Sequence, residues 1–256
     1  MAEVANLLDF FNHPPAPLNL IEPVHIRQYL DLRGQVAKTR ANREVALFSH
    51  IFNKAREWGY TSNENPCKGV KKFTEKGRDV YITDELFWMV YENSERHIQF
   101  LLIVAYLIGQ RVSDCLKIKV TDIIDGEIWI KQNKSAARLR VEVIGVLKEV
   151  ITCLLEERAL QKPMHDYLFC KDSQPITYEQ LRYGMDRARE KAGIDKALFQ
   201  FRDLRAKAGT DKDEQGGLDA ARALLGHKNS SMTSKYVRPR KGKLVQPTKM
   251  DVDREM

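Results

Sequence analysis

The sequence has no long apolar stretch and no basic start. The longest uninterrupted apolar run has nine residues, from Phe100 to Ile108, whereas a helix needs about 20 to cross a bilayer. The first 26 residues contain no Lys or Arg, so they lack the basic beginning of a secretory signal. We therefore expect no membrane partner and place the protein in a cytoplasm.

Cysteine is scarce, and the usual signatures of metal and phosphate sites are missing. The four cysteines are separated by 48, 38 and 17 residues, which makes neither a CxxC metal knuckle nor a small disulfide framework. We find no glycine-rich phosphate loop and no paired carboxylates. We therefore expect neither a bound metal nor a cofactor.

The rest of the composition is that of an ordinary globular protein. Of the 256 residues, 43% are hydrophobic and 30% are charged, which excludes a disordered chain. The length corresponds to one or two domains. Lys and Arg number 42 against 35 acidic residues, and the net charge of +7 favours an anionic partner.

The first part of the chain predicts a helical domain. Between Thr39 and Trp58, apolar residues recur at steps of four and three, the spacing of one buried helical stripe. Five basic residues and one acid then lie between Lys68 and Arg78, a composition typical of an exposed linker. We predict a domain over residues 1–74, a basic linker at 75–79 and a second domain over 80–256.

The second domain predicts a mainly α fold with a small antiparallel β-sheet (α+β). Helices are expected from Asp84 to about Asn93 and over 96–108, the latter at the domain centre, followed by a short turn at 113–117. The Asp125-Gly126 dipeptide, between two β-prone runs, predicts a tight hairpin turn, and a third strand is predicted over 138–143. Later helices are predicted over 144–160, 177–192, 204–212, 218–225 and 231–236, with a short apolar run at 167–170.

Three features suggest chemistry on a phosphate. Arg111 lies at the abrupt end of the apolar helix, and Lys134 lies in the turn after the second strand. The third feature combines the segment RDLR, the segment LLGH and a tyrosine nine residues after that histidine. Cations with one imidazole and one phenol suit a phosphoryl transition state better than a carbonyl or a glycoside. The residues of this third feature are Arg202, Arg205, His227 and Tyr236.

These segments, in this order, resemble the tyrosine recombinases, in particular the lambda-integrase-like phage integrases. GQRVSD at 109–114 resembles the first arginine box, QNKS at 132–135 the hairpin lysine motif, and RDLR at 202–205 the His-x-x-Arg box. LLGHK at 224–228 resembles the Leu-Gly-His box, and SKY at 234–236 the nucleophile segment. The resemblance extends from Thr83 to Val237, and more weakly over 39–70 to a helical core-binding domain.

The resemblance implies a site-specific recombinase that cuts and rejoins duplex DNA without a cofactor, in phage or prophage integration and excision. Tyr236 would form a 3′-phosphotyrosyl link, Arg111, Arg205 and His227 would stabilise the phosphate oxygens, and Lys134 would protonate the 5′-oxygen. Lys131 is the alternative to Lys134. Expected DNA contacts in the first domain are Arg40, Arg43, Lys71 and Lys72.

The implied partners are double-stranded attachment sites, three further copies of the chain in a homotetramer on two duplexes, and DNA-bending accessory proteins. The sequence leaves the oligomeric state off DNA open, with a monomer as one option, and in the cell the chain would associate with the nucleoid of a bacterial host. The basic tail after Tyr236 would dock on a neighbouring protomer or contact DNA. Its cations are Arg238, Arg240, Lys241, Lys243 and Lys249.

The sequence departs from the family pattern in two places. Arg202 stands where the His-x-x-Arg box has its histidine, and a guanidinium cannot accept the tyrosine proton. The region before Leu20 is short, so we expect neither an arm-site domain nor the first helix of a complete core-binding domain. The open alternatives are an inactive prophage relic that only binds DNA, a type IB topoisomerase and a helical scaffold for acidic proteins.

Overall fold

The computed structural model describes residues 2–237, which form two compact units divided between Arg78 and Asp79. The five basic residues of the predicted tail lie outside the described residues. Within the described part of the chain, no helix is both long enough and apolar enough to cross a bilayer. The functional roles of the two units stay a prediction, and each unit is described separately.

The first unit is built on two helices, α1 (Ala2–Phe11) and α2 (Pro23–Glu57). Helix α1 lies in the region before Leu20, where no helix was expected, and its Phe11 ring stacks on Phe48 of α2. The predicted apolar stripe is confirmed, since each of its residues is buried. These are Ala41, Val45, Phe48, Phe52 and Ala55.

Helix α2 begins earlier than predicted, at Pro23 instead of Thr39. Its first half has a buried stripe of its own, which includes Ile26 and Leu30. The two halves meet at Ala37, whose φ of −155° and ψ of 80° are not helical. This kink interrupts the 3.6-residue period, which explains why the sequence pattern starts after it.

The basic segment from Lys68 to Arg78 is not an exposed linker along its whole length. The backbone N–H and C=O of Phe73 are both bonded by the side chain of Asn42, at 3.0 and 2.8 Å. The Phe73 ring also lies where a Cβ on Gly34 would be, 2.3 Å away, so only glycine allows this approach. The segment up to about residue 75 therefore packs on the first unit, while Lys71 and Lys72 stay exposed.

The second unit has a helical core with small sheets, which confirms the predicted fold class. Helix α3 (Asp84–Glu92) begins at the predicted cap, where Thr83 Oγ1 accepts from the Leu86 N–H. Helix α4 (Arg96–Ile108) is buried along most of its length and supplies the centre of the core. It is followed by the short helix α5 (Val112–Cys115).

A three-stranded antiparallel sheet follows, in the order β1 (Ile123–Ile124), β2 (Glu127–Lys131) and β3 (Arg138–Glu142). The turn between β1 and β2 has positive φ at both central residues, 50° and 77°, as the Asp-Gly dipeptide predicts. After α6 (Gly145–Gln161), the run at 167–170 leads into a second hairpin, β4 (Cys170–Lys171) with β5 (Gln174–Pro175), which the sequence analysis did not predict.

The last helices carry two of the predicted functional residues, Arg205 and Tyr236, and His227 lies between the helices that hold them. Helix α7 (Tyr178–Ala192) precedes α8 (Leu204–Leu225) and α9 (Ser230–Tyr236). The two helices predicted over 204–212 and 218–225 are one element with a kink at Gly217, whose φ is 78°. Helix α8 is anchored by Lys207, which is buried and pairs with Asp84 and Asp211 at 2.5 and 3.0 Å.

Candidate active site

The C-terminal end of α4 places the first arginine. The helix stops at Gly109 in the left-handed conformation, with φ of 63°, and a Cβ there would lie 3.1 Å from Leu224 of α8. Glycine therefore allows both the sharp stop and the close approach to α8. Two residues later, Arg111 is half-buried at the start of α5, where its Nη1 donates to Gln132 Oε1 at 3.3 Å.

Arg205 is the second residue of α8, and it is 3% exposed. Its guanidinium donates to the carbonyls of Gly109 and Leu225, at 2.7 and 2.6 Å. These carbonyls lie at the C-terminal ends of α4 and α8, where helix dipoles favour a cation. Burial, with the charge of Arg111, lowers the Arg205 pKa to about 10, so the group remains protonated at neutral pH.

His227 follows Gly226, the left-handed residue that ends α8. The His227 Nε2 atom lies 3.1 Å from Arg205 Nη2, and Nδ1 lies 3.1 Å from the hydroxyl of Thr233. Arginine only donates, so Nε2 must accept and the proton of the neutral ring must lie on Nδ1. Burial and the charges of Arg205 and Arg111 lower the His227 pKa to about 4, which agrees with this neutral form.

Tyr236, at the end of α9, forms a cluster with Arg205 and His227. Its ring centroid lies 5.2 Å from that of His227, and Arg205 Cζ lies 5.7 Å from the Tyr236 centroid. The tyrosine is half-buried. Residues far apart in sequence thus bring a phenol, a buried guanidinium and a neutral imidazole together, with the charge of Arg111 acting on Arg205 and His227.

Lys134 lies at the tip of the hairpin between β2 and β3, and it is exposed. Within residues 2–237 its ammonium makes no hydrogen bond or ion pair, in contrast to its neighbour Asn133, whose N–H donates to Asp114 Oδ1 at 3.0 Å. The turn is therefore attached next to Arg111, while no hydrogen bond or ion pair within residues 2–237 joins the Lys134 side chain to the cluster. The alternative, Lys131, is an exposed residue of β2, paired with Arg138 across the sheet.

Arg202 is not brought into the cluster. It lies in the single turn Phe201–Asp203 before α8 and is exposed. It borders a pocket beside α7 together with Arg182 and Lys196, two further cations. Of the residues in the predicted RDLR segment, the structure thus places Arg205 next to Tyr236 and directs Arg202 elsewhere.

The four DNA contacts expected in the first unit are all at its surface. Arg40 pairs with Glu3 at 3.1 Å, and Arg43 lies 3.9 Å from Glu75. Exposed pairs of this kind contribute roughly 0–1 kcal/mol, so an incoming phosphate can replace the carboxylate. Lys71 and Lys72 are also exposed, on the segment that packs against α2.

Sequence reasoning missed three buried polar residues of the site. Gln110 and Gln132 lie inside the quoted motifs but were given no role, and Thr233 was not singled out. Their signal was a polar side chain close to a predicted functional residue: Gln110 directly precedes Arg111, Gln132 is two positions before Lys134, and Thr233 is three positions before Tyr236 on the same helix. Their roles depend on partners far away in sequence, which spacing alone does not reveal.

The comparison with protein-family models decides the family. The model described as the phage integrase family matches residues 85–243, more than half of the chain. The chain belongs to the phage integrase family. The matched region contains every residue of the cluster, together with Arg111 and Lys134.

This phage integrase is similar to curated relatives over most of its length. It is 24% identical over 242 residues to the integrase of Enterobacteria phage 434, covering 87% of this chain and 65% of the relative. The values for the integrase of Escherichia phage lambda are 24% over 241 residues, with the same coverage. The chain thus spans 65% of the length of these relatives, which is less than two thirds.

Solved structures show the same fold. A lambda integrase dimer bound to a COC′ core site matches with a TM-score of 0.82 at 22% identity, over 97% of this chain and 73% of the other. A lambda integrase tetramer bound to a Holliday junction matches with a TM-score of 0.79 at 18% identity, over 97% and 75%. The predicted family membership and fold are therefore confirmed.

The neutral state of His227 predicts how the stability of the protein and the protonation of this ring change with pH. Because the folded pKa of about 4 lies below the unfolded value of 6.5, the His227 contribution to stability is complete above pH 6.5 and is lost as the pH falls towards 4. We expect NMR titration of the free protein to show the His227 ring unprotonated at pH 5.5, with a His227→Asn variant to assign the signal. A His227 pKa at or above 6.5 would contradict the assigned hydrogen bonds.

Proposed function

We propose that this chain is the DNA-cleaving part of a site-specific tyrosine recombinase, which cuts and rejoins duplex DNA through a 3′-phosphotyrosyl intermediate. The observation that carries the proposal is the cluster of Tyr236, Arg205 and His227. A phenol beside a buried guanidinium that is charged at neutral pH is suited to attack a phosphodiester whose oxygens gain charge in the transition state. Membership of the phage integrase family supports the same reaction.

In the cleavage step, the Tyr236 oxygen attacks phosphorus, and the bond between phosphorus and the 5′-oxygen breaks. Lys134 gives a proton to the departing 5′-oxygen, which a mobile ammonium at a hairpin tip can reach. Arg111 and Arg205 hold the non-bridging oxygens as negative charge develops on them. The phosphotyrosyl bond conserves the energy of the phosphodiester, so the reverse attack by a 5′-hydroxyl needs no other energy source.

The proton of Tyr236 also needs an acceptor. Arg111 and Arg205 only donate, and Arg202 is both a donor and outside the cluster. His227 carries a lone pair at Nε2, which becomes available once Arg205 turns its Nη2 from His227 to a phosphate oxygen. We therefore assign the acceptor role to His227, in place of the oxygen-stabilising role that the sequence analysis gave it.

The proposed substrate is double-stranded DNA, and recombination of two duplexes requires four copies of the chain. The matched lambda integrase structures include a dimer on a core site and a tetramer on a Holliday junction, which supports this assembly. Such a substrate would place the protein at the nucleoid of its host. DNA-bending accessory proteins belong to the same proposal.

The proposal is tested by trapping the covalent intermediate. A library of duplexes with a randomised centre and a nick a few nucleotides from it loses the short 5′-hydroxyl strand after cleavage, so the adduct accumulates. We expect a DNA adduct that survives detergent, and sequencing of the trapped DNA then gives a preferred duplex. Absence of any adduct, with DNA retention intact, would contradict the proposal.

That negative outcome would favour a second function, a family member that only binds DNA. The observation on its side is Arg202, which replaces the usual histidine and lies outside the cluster. The comparisons give no support to the topoisomerase alternative, since the relatives and structures reported above are integrases.

DNA binding by the first unit predicts a change in salt dependence. Each lysine that neutralises a phosphate contributes about 0.9 to the slope of log affinity against log salt concentration. We expect the paired variant Lys71→Ala with Lys72→Ala to lower this slope by up to about 2 on a labelled duplex of about 30 base pairs. The same change at Lys148 and Lys191, exposed lysines of α6 and α7, is the control, and an equal effect there would contradict the assignment.

A further inference from the structure

The turn that carries Lys134 is fixed on both sides of this residue. Backbone hydrogen bonds from Gln132 N–H to Ala137 C=O, at 2.9 Å, and from Ala136 N–H to Gln132 C=O, at 3.0 Å, close the turn. The Asn133 N–H is held by Asp114 Oδ1. The backbone around Lys134 is thus fixed, while its ammonium has no hydrogen-bond or ion-pair partner within residues 2–237.

The side chain of Gln132 connects this turn to the interior. It is 1% exposed, and its Oε1 accepts from both Ser135 Oγ and Arg111 Nη1. Its Nε2 donates to Gln110 Oε1 at 2.7 Å and to the Leu225 carbonyl at 2.9 Å. All four hydrogen bonds of the carboxamide are therefore made, as a buried polar group requires.

Gln110 extends the connection to the second arginine. This residue is 2% exposed, and its Oε1 also lies 3.5 Å from Arg205 Nη1. Its Nε2 donates to the carbonyls of Ile108 and Leu224, at 2.8 and 2.9 Å. The two like-charged arginines are therefore linked by two neutral amides, each of which both accepts and donates.

The space around the amide pair leaves little freedom. A Cβ on Gly226 would lie 2.7 Å from Gln132 Nε2, well inside van der Waals contact. Gly226 also has a φ of 63°, which L side chains rarely adopt. The Gln132 amide thus packs directly against the backbone that precedes His227.

We propose that Gln132 is a positioning residue for Lys134. It holds the hairpin turn against the arginine pair, so that the ammonium meets the 5′-oxygen of the phosphate that Arg111 and Arg205 bind. Ser135, the residue after Lys134, is tied to the same Gln132 oxygen that Arg111 donates to. This inference rests on the proposed function, because it concerns the proton that Lys134 supplies in that reaction.

The test uses a leaving group that does not need the proton. In one version of the trapped duplex the bridging 5′-oxygen is replaced by sulfur, so the bond between phosphorus and sulfur breaks and a thiolate leaves. A thiol has a pKa near 8.5, far below that of an alcohol, so it departs without a general acid. Cleavage rates on the oxygen and sulfur duplexes then separate loss of the acid from loss of the arginines.

We expect Gln132→Met, which keeps the length of the side chain and removes its hydrogen bonds, to slow cleavage of the oxygen duplex by roughly 100-fold, the lower end of the range for a general acid. On the sulfur duplex it should cleave within about fivefold of the unchanged protein. Lys134→Ala should likewise cleave the oxygen duplex slowly and the sulfur duplex at close to the normal rate. Arg111→Ala should cleave both duplexes slowly. The matched control is Gln99→Met, a half-buried amide bonded to the Tyr91 carbonyl, which should cleave both at the normal rate.

A second measurement needs no DNA. Hydrogen exchange of the free protein should be faster over residues 131–137 in Gln132→Met than in the unchanged protein, and unchanged over α6. If no variant and no wild-type protein forms an adduct, the proposed function fails, and this exchange result alone decides whether Gln132 holds the turn. Equal exchange in both proteins, or slow cleavage of the sulfur duplex by Gln132→Met, would overturn the proposal.

Discussion

Replacing Tyr236 by phenylalanine is expected to abolish the covalent DNA adduct while leaving DNA binding nearly unchanged. The substitution removes only the hydroxyl that would attack phosphorus. The ring remains, with its contacts to His227 and to the Arg205 guanidinium. Loss of the nucleophile should reduce adduct formation by at least roughly 10⁴-fold, the scale seen when a covalent nucleophile is removed from an enzyme.

The measurement is adduct formation on the nicked duplex, together with retention of the intact duplex in a gel at fixed salt. Tyr183→Phe is the matched control, because Tyr183 lies on α7 and is 64% exposed. We expect this control to form the adduct at the normal rate. If Tyr236→Phe lost DNA retention and adduct together, Tyr236 would have a structural role and the proposed nucleophile would be wrong.

The second large effect is expected for Arg205→Lys, which keeps the charge and removes the planar fork. Arg205 reaches the Gly109 carbonyl through Nη1, and the Leu225 carbonyl and the His227 ring through Nη2. A lysine is a single point charge that cannot hold both carbonyls and a phosphate oxygen at the same time. We expect cleavage to fall by roughly 10³-fold, the scale for loss of a fixed donor to a transition-state oxyanion.

The control for Arg205→Lys is Arg189→Lys in α7. Arg189 is also buried, at 4% exposure, and also donates to a backbone carbonyl, that of Phe199. Thermal unfolding of both variants measures the cost of replacing a buried arginine by lysine. If Arg205→Lys cleaved within tenfold of the unchanged protein, or if Arg189→Lys were equally slow, Arg205 would not hold the phosphate.

The parts of the fold that could be predicted from the sequence depend on neighbours along the chain. The stripe from Ala41 to Ala55 follows one helical period, and the cap at Thr83 acts within a single turn. The Asp125-Gly126 turn is set by its own two residues. The first half of α2 was missed because the kink at Ala37 breaks the period, and β4 and β5 were missed because each has two residues.

The sequence motifs indicated which residues belong to the candidate site, but not how these residues are arranged in space. The boxes indicated Arg111, Arg205, His227 and Tyr236, which the structure brings together or links by charge. Their arrangement depends on the carbonyls of Gly109 and Leu225, which lie at the ends of different helices. The three-residue spacing between Arg202 and Arg205 could not show whether Arg202 lies near Tyr236, because Arg202 precedes the start of α8 and Arg205 follows it.

The protonation state of His227 is another property that spacing could not give. It follows from the donor Arg205 at Nε2 and the hydroxyl of Thr233 at Nδ1, and Arg205 is 22 residues away in sequence. The sequence alone permitted an imidazolium that binds phosphate. The contacts instead indicate a neutral ring with its proton on Nδ1.

The central claim is that the phenol of Tyr236 forms a bond to a DNA phosphate inside a group of fixed cations. The most direct measurement is mass spectrometry of the wild-type adduct after digestion of both protein and DNA. The account predicts a nucleotide remnant attached to the peptide that contains Tyr236, with phosphorus joined to the phenolic oxygen. A remnant on any other residue, or an adduct that is not a phosphotyrosine, would contradict it.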